Sequence, residues 1–190
     1  MLKNLIVKNR SYRRFYEGEP ITLETLQELL ELARLSASAA NRQPLKYLLS
    51  CDPQKNSKIF SHLAWAGYLR DWPGPAEEER PAAYIVILAD TEISEDVGCD
   101  HGIAAQSILL GAVEKGLGGC MIGAIQKQEL RQALALPSRY EILLVIALGK
   151  PKETVKLESV GADNDIKYWR DAEGVHHVPK RTLDELIIDL

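Results

Sequence analysis

The sequence predicts one α/β or α+β domain, with four or five strands, over residues 1–190. Apolar residues recur at helical spacing in several segments, and four apolar runs have the length of strands. No linker of biased composition divides the chain. A chain of this length buries about 70% of its unfolded surface, so it needs neither a disulfide nor a metal ion to fold.

Helices are predicted at both ends of the chain and between the strands. The first ends at about Lys8, and the second begins at the N-cap Thr22. Apolar spacing predicts two more over residues 55–69 and 128–134. A capping box at residues 182–185 opens a short last helix.

The helix predicted over residues 100–115 is apolar around most of its circumference. Such a helix is buried on nearly all sides, in a core or in a subunit interface. Gly116 and the pair Gly118-Gly119 end it.

The strands are predicted from apolar runs bounded by polar or glycine-rich segments, at residues 47–51, 82–89, 120–125 and 141–148. Residues 151–166 are polar and lack periodicity, so we expect a surface crossover there. Residues 167–170 and 175–178 flank a turn, which predicts a hairpin.

Net charge and cysteine content limit the classes of binding partner and the cellular compartment that the sequence supports. Acidic residues number 27 and basic residues 23, and this net charge of -4 argues against a nucleic-acid binder. Three cysteines without a Cys-x-x-Cys pair fit a reducing cytosol, so we expect a cytoplasmic protein. The N-terminus lacks the features of a signal peptide, and the longest apolar run, residues 142–148, is too short to cross a membrane.

Several common site motifs are absent from the sequence. Gly116-Leu117-Gly118 starts a dinucleotide-binding fingerprint, but Met121 stands at the third glycine and the helix precedes the loop. A P-loop would need lysine where Leu117 stands. We expect no metal site, because no common ligand spacing joins Cys99, His101, His176 and His177. The adjacent histidines of the hairpin strand should point to opposite faces.

Four features remain as candidate binding elements. They are the loop Arg10–Arg13, the segment Ser36–Pro44, the strand entry Gly116–Gly123 and the pair Lys180-Arg181. Each also has a purely structural interpretation. In the same order, these are a solvated basic patch, a polar helix end, a glycine turn between a helix and a strand, and a surface charge pair. Taken together they suit a phosphorylated planar ligand, because cations neutralise phosphate and glycines let a flat ring lie against backbone.

These features are similar to the motifs of the nitroreductase family of FMN-dependent oxidoreductases, in the same order over nearly the whole chain. Asn9-Arg10-Ser11-Tyr12-Arg13 resembles the family's Arg-Arg-Ser-x-Arg loop. Residues 36–45 resemble its Ser-Pro-Ser-x-x-Asn-x-Gln-Pro-Trp stretch, and Gly116–Gly123 its Gly-Leu-Gly turn and Trp-Ile-Gly strand. Ala147–Pro151 and Lys180-Arg181 match in order as well.

The resemblance implies a central, mostly antiparallel sheet flanked by helices, and an intertwined homodimer with FMN at the interface. It places Arg10, Lys180 and Arg181 near the phosphate and ribityl end, with Ser11 bonding the same part. It places Arg13 at the N1–O2 edge of the flavin. The remaining implied contacts are Ile122 and Gly123 at the ring, and Ser38, Ala39 and Asn41 from the other subunit.

The implied activity is transfer of electrons from NAD(P)H through flavin N5 to a nitroaromatic, a quinone or a similar small acceptor, by a ping-pong mechanism. No catalytic residue of the protein itself is implied. Three alternatives stay open: another flavin reaction on this fold, such as dehalogenation or flavin fragmentation; a non-catalytic FMN-binding or storage protein; and a structural dimer without ligand.

The sequence departs from the family pattern at four positions. Asn9 replaces the first arginine of the opening motif, Ala37 replaces a proline, and Leu45 replaces a tryptophan. Gly123 stands where some members carry an acidic residue. We expect these changes to bear on substrate preference more than on flavin binding.

Overall fold

The computed structural model describes residues 1–188, and its centre is a four-stranded sheet. The strands are β1 (Leu45–Ser50), β2 (Ala83–Asp90), β3 (Gly118–Ile122) and β4 (Tyr140–Gly149). Their order is β1-β2-β4-β3, and every neighbouring pair is antiparallel. The α+β class and the mostly antiparallel sheet are confirmed. A single domain over the whole chain stays a prediction.

Helices cover both faces of this sheet. On one face lie α2 (Leu23–Arg34) and α4 (Asp100–Glu114), and on the other α3 (Pro53–Phe60) and α5 (Lys127–Ala133), while α1 (Leu2–Lys8) contacts α4. Side chains alternate across a strand, so β2 serves both layers: Ile85 packs with the first pair of helices and Val86 with the second. All of β2 is buried, which explains its continuous apolar run.

The helix α3 is shorter than the predicted 55–69. It starts at the N-cap Asp52, whose side chain accepts the Lys55 N–H at 2.8 Å, and it ends at Phe60. The chain then turns toward the end of β3, where the Ala64 N–H donates to the Ala124 carbonyl oxygen at 2.9 Å. Backbone pairing with the segment that follows β3 therefore replaces the last predicted turns of the helix.

The helix α4 begins at Asp100 as predicted, but it is not buried on all sides. One face packs into the core through Ala104, Ile108 and Ala112. Ile103, on the opposite face, is 37% exposed. The helix thus contributes to the core and also presents an apolar surface.

A second, three-stranded sheet follows β4. Its strands are β5 (Val155–Ser159), β6 (Trp169–Arg170) and β7 (His176–Lys180), in the order β5-β7-β6. The antiparallel pairing of β6 with β7 confirms the predicted hairpin, and β5 runs parallel to β7. The expectation of a surface crossover over residues 151–166 is wrong at β5, which is a half-exposed edge strand. Its alternation of apolar and polar residues is only five residues long, which is too short to predict a strand.

The predicted terminal helix is a single 3₁₀ turn, Asp184–Leu186. Thr182 does not cap it; instead its N–H and its hydroxyl donate to the Glu185 carboxylate at 2.7 and 2.9 Å. The strand predicted at 120–125 starts two residues earlier, at Gly118, and ends at Ile122. Within residues 1–188, no helix combines the length and the apolar character needed to cross a membrane.

Candidate active site

A cavity of about 360 Å³, here called the basic cleft, lies between the N-terminal loop, α4, β3 and the second sheet. It is lined by Asn9, Arg10, Ser11, Arg13, Gln106, Leu109, Gly119, Met121, Tyr168, His176, Val178 and Lys180. Four of the predicted cofactor-binding residues therefore meet in one place. Its volume falls within the range of about 300–1,000 Å³ usual for small-molecule sites.

Two glycines bring the N-terminal loop against β3. A Cβ at Gly119 would lie 2.5 Å from the Ala147 carbonyl oxygen, and one at Gly118 would lie 2.5 Å from the Tyr12 ring. The Tyr12 N–H donates to the Gly119 carbonyl oxygen at 3.0 Å, and Ser11 forms a β-bridge with the same glycine. The glycine pair is thus required for close approach.

The outer end of the basic cleft is suited to an anion. The Arg10 guanidinium donates through Nη2 to the Ile6 carbonyl oxygen at 2.8 Å. Its Nε is buried and has no hydrogen-bond partner within residues 1–188. Burial lowers the pKa of Arg10, which means that the charge is poorly solvated there. With Lys180 on the same cleft, an incoming phosphate would supply the missing negative charge.

Arg13 also lines the basic cleft and is held from several directions. Its Nη1 donates to the Ser11 carbonyl oxygen at 3.2 Å. Its backbone N–H donates to Glu153, a buried carboxylate that also accepts the Arg14 N–H at 3.2 Å and Nη2 of Arg170 at 2.8 Å. Glu153 therefore fixes the backbone of this basic loop.

A smaller cavity of about 150 Å³, here called the ring cleft, adjoins the basic cleft through Arg13 and Met121. It is lined by residues 64–67 and 120–124, so it contains the predicted Ile122 and Gly123. A Cβ on Gly123 would meet no atom within 4 Å, which leaves open space beside the backbone for a flat group. Burial raises the pKa of the Cys120 thiol, which disfavours thiolate chemistry at this site.

The segment with Ser38, Ala39 and Asn41 lies elsewhere in the chain. Ser38 lines a larger cavity, about 520 Å³, between α2, β1 and the start of α4, and this cavity shares no lining residue with the basic cleft. Asp100 accepts the Ser38 hydroxyl at 2.6 Å and the Ala39 N–H at 3.0 Å. Asn41 is exposed and has a φ of 54°, in the left-handed region.

Arg181 is also outside the basic cleft. Its Nη1 donates to Oε1 of Glu185 at 3.3 Å, and its side chain is 44% exposed. Lys180, the last residue of β7, lines the cleft together with His176 and Val178, because alternate side chains of a strand share one face, whereas Arg181 lies beyond the strand. The structure thus separates two residues that the sequence had paired.

Several lining residues were missed at the sequence level. Tyr168 and His176 line the basic cleft, and Glu153 bonds the backbone of Arg13. All three belong to the segment after β4, for which the sequence predicts a surface crossover and a hairpin. The predicted opposite orientation of the two histidines is observed: His176 contacts Arg13, whereas His177 stacks on Trp169. The alternation of side chains along the strand was the only signal in the sequence for a role of His176, because it separates the two histidines and leaves one of them on the side of the N-terminal loop.

The described part of the chain holds no group of three or more His, Cys, Asp or Glu side chains placed to bind a metal ion. The polar groups of both clefts are dominated by cations and backbone. They fit a phosphorylated, planar cofactor such as FMN, because cations line one cleft and open space lies beside the glycine backbone of the other.

Comparison with known proteins shows which family the chain resembles in sequence and in fold. The model of the nitroreductase family matches residues 6–150. The NADPH:FMN oxidoreductase of Vibrio harveyi, solved with NAD+, is 25% identical with a TM-score of 0.65, covering 85% of this chain and 74% of that one. An FMN-dependent nitroreductase of Clostridium difficile R20291 is 25% identical with a TM-score of 0.64, covering 80% of this chain and 88% of the other.

A nitroreductase family protein of Clostridium novyi NT shows the fold over a longer stretch. At 22% identity and a TM-score of 0.64, the match covers 94% of each chain. The comparisons confirm the resemblance and the general expectation of an FMN-dependent NAD(P)H oxidoreductase. With the family model matching most of its length, the chain belongs to the nitroreductase family.

Proposed function

We propose that this protein takes electrons from NADH or NADPH through FMN and passes them to a small planar acceptor, a nitroaromatic, a quinone or a similar molecule, in a ping-pong cycle. The observation that supports this most is the pair of adjoining clefts, basic at one end and glycine-lined at the other, joined by Arg13. A phosphorylated isoalloxazine has this distribution of charge and shape.

Arg10 and Lys180 hold the phosphate, with the Ser11 hydroxyl beside them. The buried Nε of Arg10 gains its missing partner when an anion binds. Arg181 faces Glu185 within one chain, so its contribution to the phosphate requires that this ion pair opens.

Ile122 and Gly123 border the ring, and a backbone N–H of this segment lies near N5. Bound FMN supplies the hydride chemistry, and the protein supplies position and electrostatics. Arg13 places a positive charge at the N1–O2 edge and thereby favours the reduced cofactor. No side chain of the protein acts as nucleophile, and none is assigned as a dedicated acid or base.

Ser38, Ala39 and Asn41 complete the site from a second subunit of a homodimer. Two observations support this assembly: these residues lie apart from the basic cleft of their own chain, and apolar side chains on α1, on α4 and at the end of α2 are exposed. Leu2, Val7 and Leu35 are 63%, 48% and 67% exposed. Exposed apolar patches of this kind mark interfaces.

The three cysteines are free thiols, which fits a reducing compartment, and we place the enzyme in the cytoplasm.

An absorption spectrum of the purified protein, followed by anaerobic addition of NADH or NADPH, tests the proposed function. Flavin bands that bleach, and return on addition of a nitroaromatic or a quinone, are the expected result. Bands that persist with both donors would point to FMN storage instead. A colourless protein that also fails to take up added FMN would contradict the proposed function.

A further inference from the structure

His176 of the second sheet lies within hydrogen-bonding distance of the Arg13 side chain. It is 1% exposed, on β7, and its Nε2 lies 3.2 Å from Nη1 of Arg13. Tyr168 completes the enclosure, with its ring centroid 4.8 Å from the Arg13 guanidinium carbon and 5.2 Å from the His176 ring centroid. The guanidinium thus lies between an aromatic face and an imidazole nitrogen.

The chemistry of the two side chains fixes the state of His176. An arginine side chain only donates hydrogen bonds, so Nε2 must carry a lone pair and no proton. The neutral ring then holds its proton on Nδ1, which is buried and has no hydrogen-bond partner within residues 1–188. A doubly protonated ring would place an N–H of His176 against an N–H of Arg13, and two donors cannot form a hydrogen bond.

The surroundings also oppose a charged imidazole. The charges of Arg13 in the N-terminal loop and of Arg170 in β6 act on His176, and that of His177, on the other side of β7, adds a smaller contribution, while Glu153 is occupied by Arg170 and by backbone N–H groups. Burial, followed by the charges of Arg13 and Arg170, lowers the pKa of His176 to about 4. The ring therefore stays an acceptor at neutral pH.

We propose that His176 is a positioning residue, whose unprotonated Nε2 fixes the Arg13 guanidinium in the orientation that faces the flavin. This inference rests on the proposed function, since that function gives Arg13 its task at the N1–O2 edge. An arginine with free rotamers would spend part of its time away from the cofactor. An arginine held by Ser11, Tyr168 and His176 is in place before the charge develops, which is the condition for electrostatic stabilisation of reduced FMN.

The first test reads the imidazole itself, without FMN. Nitrogen-15 NMR of the full chain, with the His176 signals assigned by their loss in His176→Gln, reports which ring nitrogen is protonated. We expect a neutral ring with the proton on Nδ1 from about pH 5.5 to 8, whereas an ordinary histidine titrates near pH 6.5. A proton on Nε2, or an ordinary titration, would overturn the inference.

The second test measures the reduction potential of bound FMN in His176→Leu, His176→Gln and Arg13→Gln. Losing the acceptor should lower the preference for reduced over oxidised FMN about tenfold, or about 30 mV for a two-electron couple. His176→Gln should retain the wild-type potential, because the amide oxygen accepts the same bond. A merely structural role would not distinguish Leu from Gln in this way.

The double variant Arg13→Gln with His176→Leu separates an effect through Arg13 from an independent one. If His176 acts through Arg13, the double variant has the potential of Arg13→Gln alone. An additive loss would contradict the inference while leaving the proposed function intact. Failure of the wild type to bind FMN would contradict the proposed function, and the NMR experiment would still decide the Arg13–His176 bond. If His176→Leu does not fold, the NMR measurement and the potential of His176→Gln, which must match the wild type, still decide the question.

Discussion

The Tyr12 N–H donates to the Gly119 carbonyl oxygen at 3.0 Å, and this bond attaches the basic loop to the edge strand β3. The approach leaves no room for a side chain: a Cβ at position 119 would lie 2.5 Å from the Ala147 carbonyl oxygen and 2.7 Å from Cδ2 of Leu109. Two cations of the cleft, Arg10 and Arg13, flank this attachment.

Gly119→Ala should therefore destabilise the protein by about 1–3 kcal/mol, the usual cost of overpacking. Gly102→Ala is the matched control, since a Cβ there meets no atom within 4 Å on an exposed turn of α4. Urea unfolding curves of both variants measure the difference. Equal midpoints for the two variants would show that β3 tolerates a side chain at this contact.

Lys180→Gln should weaken FMN binding about tenfold or more, because a charge-assisted bond to phosphate is lost. Riboflavin, which lacks the phosphate, is the ligand control: its affinity should not change. Lys55→Gln, on the exposed start of α3, is the protein control. Titration followed by flavin fluorescence measures the dissociation constants of both ligands for the wild type and for the two variants. Equal losses for FMN and riboflavin would place Lys180 away from the phosphate.

His177 should make stability depend on pH in the alkaline direction. Its Nε2 contacts Oδ2 of Asp171 at 2.9 Å and its Nδ1 contacts Oε1 of Glu158 at 2.6 Å. These carboxylates raise the pKa of His177, Asp171 most strongly. A histidine with a raised pKa stabilises the folded state fully below its unfolded value, and that contribution disappears as pH rises through the folded value.

The stability difference between wild type and His177→Gln should accordingly be largest below about pH 6, under the ordinary histidine value near 6.5, and should shrink as the pH rises through the raised pKa of His177. Tryptophan fluorescence during urea unfolding measures it, since Trp169 stacks on the His177 ring at 4.1 Å between centroids. A difference that is independent of pH would mean that the pKa of His177 is the same in the folded and the unfolded chain.

Asp100→Ala should release the segment with Ser38 and Ala39, because both hydrogen bonds of that segment to the carboxylate are lost. Charged hydrogen bonds of this kind contribute about 1.5–3 kcal/mol each. We expect weaker FMN binding than in the control Asp71→Ala, an exposed aspartate. Isothermal titration of FMN into each variant gives the comparison, and unchanged affinity in Asp100→Ala would separate the segment from the cofactor.

Mixed dimers test whether that segment serves the partner's site. A dimer of one Asp100→Ala chain and one Lys180→Gln chain should contain one intact site, because the undamaged halves come together across the interface. It should bind one FMN at wild-type affinity, while each variant homodimer binds weakly. A mixed dimer with two weak sites would show that each site is formed within one chain.

The central sheet was predictable because burial leaves a strong pattern in the sequence. The run at β2 is apolar throughout, since both faces of the strand are covered. The loop Arg10–Arg13 and Lys180 were likewise found from their residue types, and the structure brings them to one cleft. Composition and local order suffice for such features.

Features that depend on tertiary contacts were not predictable in the same way. Apolar spacing alone did not indicate that residues 61–69 leave the helix to pair near β3. Glu153 is an ordinary acidic residue until its burial under three hydrogen-bond donors is known. The role of His176 depends on its contact with Arg13, which lies far away in the sequence, so local pattern does not indicate it.

The segment after residue 150 lies beyond the stretch that the family model matches, yet it supplies Tyr168, His176 and Lys180 to the cleft. The four-stranded sheet lies within the matched stretch, whereas the hairpin segment adds an aromatic ring, an imidazole and an ammonium group to one wall of the cleft. Substitutions in this segment can therefore alter the charge and polarity of the basic cleft without repacking the central sheet. Exchange of the segment between members of the family is a way to vary the cleft on an unchanged core.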